Sequence, residues 1–66
     1  MRTERDPKKI IRKLRAEGWE LSRISGSHHV FHHPGRKGII IVPVHGRRDL
    51  KPGTARAIAK AAGWIK

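Results

Sequence analysis

The sequence predicts an α+β domain of order α-β-β-β-α, a three-stranded antiparallel sheet with two helices packed on one face. Three observations predict it. Apolar residues recur at helical spacing near both ends, at Ile10, Ile11 and Leu14 and again at Ala55, Ile58, Ala59 and Ala62. Three β-favouring runs lie between them, separated by Gly and Pro. The connections between those runs are too short for parallel crossovers, so the strands form a meander. A chain of 66 residues makes one domain, 1–66, with a small core.

Asp6-Pro7 starts the first helix, with Asp as N-cap and Pro at the first helical position. The helix spans 7–17, and Gly18 supplies its left-handed cap. Trp19 to Ser25 alternates apolar and polar residues and reads as the first strand. Gly26-Ser27 makes a turn. His28 to His33 is the second strand, with Val30 and Phe31 at its centre. Pro34-Gly35-Arg36-Lys37-Gly38 reads as a loop. Ile39 to Val42 is the third strand, ended or edged by Pro43. Val44 to Leu50 is irregular and basic. Pro52 or Gly53 opens the second helix, and Gly63 caps it before Trp64-Ile65.

Sixteen Lys/Arg against five Asp/Glu leave a formal net charge of +11. Such a chain attracts polyanions, nucleic acid foremost. Cysteine is absent, which excludes disulfides, thiolate nucleophiles and Cys-ligated zinc. A reducing cytoplasm is the expected compartment. The charged stretch Met1 to Asp6 does not read as a signal peptide, and no run approaches the ~20 apolar residues of a membrane span. The small size leaves little room for a nucleotide cofactor site, and no cofactor is expected.

Four of the five histidines fall within 28–33. On a strand, residues four apart lie about 13 Å apart, so His28/His32 and His29/His33 cannot chelate one zinc ion. No metal site is expected. Alternation sends His28, Val30 and His32 one way and His29, Phe31 and His33 the other. If Phe31 is the core residue, the first set is exposed on the open face; if Val30 is, the sets exchange. The larger Phe31 is the favoured core residue.

An exposed histidine on a basic surface suits one chemistry above others. RNA carries its own nucleophile, the 2′-hydroxyl, beside each phosphodiester. Cleavage then needs a base, an acid for the leaving 5′-oxygen, and cations to stabilise the phosphorane. Histidine as a residue type titrates near neutrality and serves either proton-transfer role. Arg and Lys supply the charge.

Gly26-Ser27-His28, Pro43-Val44-His45 and Leu50-Lys51-Pro52-Gly53-Thr54-Ala55-Arg56-Ala57-Ile58, in that order and spacing, resemble the HicA family of toxins. The resemblance runs from about Lys9 to Ile65. It implies a fold like a double-stranded-RNA-binding domain, ribosome-independent cleavage of mRNA, translational arrest, and neutralisation by a HicB-like antitoxin. The family's catalytic histidine lies in the Gly-Ser-His motif and maps onto His28. Ser27 is an accessory candidate, as a phosphate donor or simply a turn residue. His45 is a second accessory candidate, able to complete an acid–base pair or to act as a plain loop residue. Gly26 permits close approach of a phosphate. Candidate RNA contacts are Lys8, Lys9, Arg12 and Arg15 on the first helix, His32 on the second strand, and Arg36, Lys37, Arg47 and Arg48 on loops. His33 is expected to contact phosphate or solvent. Trp19 and Trp64 each follow a cap glycine and are expected in the core. The alternative reading is a non-catalytic RNA-binding module of the same fold.

Overall fold

The computed structural model describes residues 3–66; Met1 and Arg2, part of the charged N-terminal stretch, lie outside the described residues. Helix α1 spans Pro7–Ala16. The Asp6 side chain accepts the Lys8 N–H at 2.9 Å, and Pro7 occupies the first turn. Pro7, Ile10 and Leu14 are its buried residues. Gly18, at φ +93°, ends it in a Schellman motif: the Gly18 N–H donates to the Arg15 carbonyl and the Trp19 N–H to the Leu14 carbonyl. Helix α2 spans Pro52–Ala62 and ends the same way, with the Gly63 N–H on the Lys60 carbonyl and the Trp64 N–H on the Ala59 carbonyl. Each helix thus closes on a Gly-Trp pair. Trp19 is buried in the core, and Trp64 packs half-buried against it.

Strands β1 (Glu20–Ser25), β2 (His28–His33) and β3 (Arg36–Pro43) form one antiparallel sheet in the order β1-β2-β3. Phe31, Ile40 and Val42 face both helices and meet Ile10, Leu14, Ala55, Ile58 and Ala62 in one core. The element order and the single covered face are those the sequence predicts. Phe31 is fully buried in that core, so His28, Val30 and His32 occupy the open face. Val30 is also buried, at 5% exposure, although it faces away from the helices. It lies in the central strand, with Arg23 and Ile41 as its cross-strand partners. Ile39 and Ile41 remain about half exposed beside it, at 54% and 43%.

The boundaries differ from expectation at four places. The first helix ends at Ala16, with Glu17 as its C-cap. Trp19 is a buried junction residue, and β1 begins at Glu20. A bulge between Leu21 and Arg23 places one extra residue in β1. Register therefore puts Leu21 and Ile24 both on the helix side, where the edge strand leaves them 37% and 55% exposed. The expected loop 34–38 shrinks to Pro34-Gly35, because His33 already pairs with Arg36. Gly38, at φ +84°, accompanies the register shift in that hairpin, so extra residues are absorbed inside β3.

Candidate active site

The Gly26-Ser27 turn joins β1 to β2 through two residues, with Ser25 paired to His28. Gly26 sits at φ +59° and Ser27 keeps a negative φ, the pattern of a type II′ hairpin with Gly in first position. The Val44 N–H donates to the Ser27 carbonyl at 2.7 Å, so β3 is tied to that turn. His28 opens β2 directly opposite Pro43. Two residues past Pro43, His45 begins a turn in which the Arg48 N–H donates to the His45 carbonyl at 3.1 Å, with Gly46 at φ +60°. That turn brings Arg48 back beside His45. The loop is pinned at its far end by Leu50, whose N–H donates to the Arg5 carbonyl and whose carbonyl accepts the Arg5 Nε–H at 2.7 Å.

These constraints create an open recess of about 410 Å³ between the sheet and the start of α2. His28 and Pro43 line its sheet side, His45, Arg48, Asp49 and Leu50 its loop side, and Lys51 and Thr54 the first turn of α2. Lys51 takes the N-cap position of α2 without a side-chain cap hydrogen bond. The first-turn amides therefore have no side-chain acceptor, and the positive end of the helix dipole faces this region. The recess holds two imidazoles able to move protons, with two cations against one carboxylate. A larger hollow of about 730 Å³ lies beside it, lined by Thr3, Glu4, Arg5, Asp49, Pro52, Gly53 and Arg56. No imidazole lines it, so of the two hollows only the smaller recess brings together side chains suited to acid–base chemistry.

The remaining histidines have other surroundings. His32 shares the open face but lies about 13 Å from His28 along the strand, and its Nε2 is 3.5 Å from the Glu20 carboxylate. His29 is half-buried on the helix side, between Ile24 and Val42 in the sheet register. His33 differs from its expected place on phosphate or in solvent. Its Nδ1 accepts the Gly35 N–H at 2.9 Å, which leaves Nε2 to donate to the Glu17 carbonyl at 3.0 Å, and its ring meets Trp19 edge-on at 5.3 Å. The ring staples the β2–β3 turn to the end of α1. Among the described residues, no three His, Asp or Glu side chains come together as a metal site would require.

The sequence-predicted cations also divide. Arg48 lines the recess, and Gly26 and Arg47 lie in the two turns flanking it. Lys8, Lys9, Arg12 and Arg15 are exposed on α1, which covers the opposite face of the sheet from His28. Arg36 donates to the Ala62 carbonyl at 2.8 Å and lies over the Trp19 ring at 5.9 Å, so it fastens the end of α2 to the sheet. Lys37 is exposed near that same distant hairpin. Lys51, Thr54 and Asp49 were not among the expected site residues. The available signal was a lysine where a helix start calls for Ser, Thr, Asp or Asn.

Among the described residues, no helix is long and apolar enough to cross a membrane. No curated protein matches the chain. The family model described as the HicA toxin of bacterial toxin–antitoxin systems matches residues 7–64, and so takes in both helices, the whole sheet and every residue of the recess. The chain belongs to the HicA family, the toxins of bacterial toxin–antitoxin pairs.

Proposed function

We propose that this toxin is a metal-independent endoribonuclease that cleaves mRNA with His28 as a catalytic acid or base. One observation carries the reading. His28, in the Gly-Ser-His sequence, stands exposed at the end of the sheet, in a recess lined by Arg48 and Lys51 between the sheet and the first turn of α2. A phosphodiester there would meet an imidazole and two cations together, which are the parts transesterification needs. The 2′-hydroxyl of the substrate provides the nucleophile. Neutralisation by a HicB-type antitoxin in the cytoplasm completes the reading. An acidic partner suits a chain of net charge +11, and the apolar residues Ile39 and Ile41 flanking Val30 offer it a surface beside the site.

The test is incubation of the purified protein and its His28→Ala variant with single-stranded RNA in EDTA. Fragments ending in 2′,3′-cyclic phosphate, absent with the variant, are the expected result. Intact RNA with retained binding by the wild type would overturn cleavage and leave a non-catalytic RNA-binding module.

A further inference from the structure

The recess contains a second imidazole that one catalytic histidine does not use. We propose that His45 is a catalytic residue, the proton-transfer partner of His28; this rests on the endoribonuclease reading. The argument starts from geometry. His28 comes from the first position of β2 and His45 from the loop after β3, yet both line one recess. Their placement is fixed by the backbone. His28 pairs with Pro43, Val44 bonds to Ser27, and the His45 carbonyl holds Arg48 in the following turn. Both residues are exposed. His32 and His33, by contrast, face Glu20 and bond Glu17 and Gly35.

The reaction requires two proton transfers at one phosphorus. One imidazole takes the proton of the 2′-hydroxyl as that oxygen bonds to phosphorus. The P–O5′ bond breaks, and the other imidazole, starting protonated, gives its proton to the departing 5′-oxygen. The products are a 2′,3′-cyclic phosphate and a 5′-hydroxyl. Nothing is oxidised or reduced, and solvent returns each histidine to its starting state. Arg48 and Lys51 face the charge that builds on the non-bridging oxygens, while Asp49 tempers the local excess. Two histidines from separate elements allow base and acid to approach different sides of the phosphate, as in-line displacement requires.

The experiment maps a wild-type cleavage site, then compares wild type, His28→Ala and His45→Ala on that RNA. A second substrate carries sulfur in place of the bridging 5′-oxygen at the mapped site, a leaving group that needs no acid. Both histidine variants should lose about 10²- to 10⁴-fold on ordinary RNA, with unchanged melting and RNA binding. The sulfur substrate should restore one of them to within about tenfold of wild type, which identifies the acid. A bell-shaped pH–rate profile should lose a different limb in each variant. Cleavage by His45→Ala within about threefold of wild type would overturn the proposal. So would a loss that the sulfur substrate restores in neither variant. Failure of the wild type to cleave any RNA would instead overturn the endoribonuclease reading beneath it.

Discussion

Replacing Gly18 with alanine would strike the joint between α1 and the β2–β3 turn. A Cβ at this position would lie 2.9 Å from His33 Nε2, and the backbone sits at φ +93°. The left-handed conformation costs an alanine about 1–2 kcal/mol. The methyl also displaces the ring whose Nε2 bonds the Glu17 carbonyl, a further ~0.5–1.5 kcal/mol. The expected loss is about 1.5–3.5 kcal/mol, against a total of roughly 3–10 kcal/mol for a domain of 66 residues. In a thermal melt this is a drop of roughly 10–25 °C. Gly53→Ala is the matched control. Its Cβ would meet nothing within 4 Å and its φ is not left-handed, so it should stabilise the protein by about 0.4–1 kcal/mol. Adding His33→Ala to Gly18→Ala removes the clashing ring, so the two costs should fall short of additivity by about 1 kcal/mol. Urea titrations of the wild type, Gly18→Ala, His33→Ala, the double variant and Gly53→Ala measure each term. Strict additivity, or a Gly18→Ala variant within about 0.5 kcal/mol of wild type, would refute the reasoning.

Arg36→Met should lower stability by about 1–3 kcal/mol through the lost Ala62 bond, while cleavage per folded molecule stays constant. Lower cleavage at unchanged stability would instead make Arg36 an RNA contact. Exchanging Lys8, Lys9, Arg12 and Arg15 together for Gln should weaken RNA binding and flatten its dependence on salt, by up to about 0.7 in log–log slope per lost phosphate contact. The rate at saturating RNA should hold, because α1 lies behind the sheet from His28; a large rate loss would place α1 on the substrate path. Ile41→Asp should change the stability of the free toxin by less than about 1 kcal/mol, since the side chain is 43% exposed. It should weaken the antitoxin complex by more than about tenfold, read by calorimetry; unchanged affinity would remove the open face from that interface. Antitoxin binding should raise the melting midpoint of the wild-type toxin, since a ligand of the folded state alone stabilises it. An unchanged midpoint would argue against that stabilisation.

Much of the fold is written locally, and those parts are legible. Asp6-Pro7, Gly18 and Gly63 mark helix ends because their capping chemistry involves neighbours only. The Ala55, Ile58, Ala59 and Ala62 stripe is buried as its spacing predicts. The sheet edges are not written locally. The Leu21/Arg23 bulge and the early start of β3 depend on cross-strand register, which alternation within one strand does not encode. The four clustered histidines separate for the same reason. His28 and His33 have similar sequence surroundings but lie at opposite ends of β2, and only the fold gives His33 Glu17 as a partner. Arg36 resembled a loop cation because Ala62, its partner, is 26 residues away. Lys51 and Thr54 join His28 through the return of the chain after β3, a contact that no local pattern announces.

Glu17 binds the far end of the molecule together. Its carbonyl takes the His33 ring and its carboxylate takes the Trp64 indole N–H at 2.7 Å, so one residue gathers α1, the β2–β3 hairpin and the exit from α2. The recess sits at the other end, framed by a short loop whose residues 45–49 are all exposed. The joint around Glu17 and the recess thus occupy separate ends of a body about 29 Å across. Arg47 of that loop, exposed and outside the lining of the recess, can be replaced without loosening the joint around Glu17. A toxin built this way can vary the rim of its recess by small steps, each of which leaves a folded protein behind.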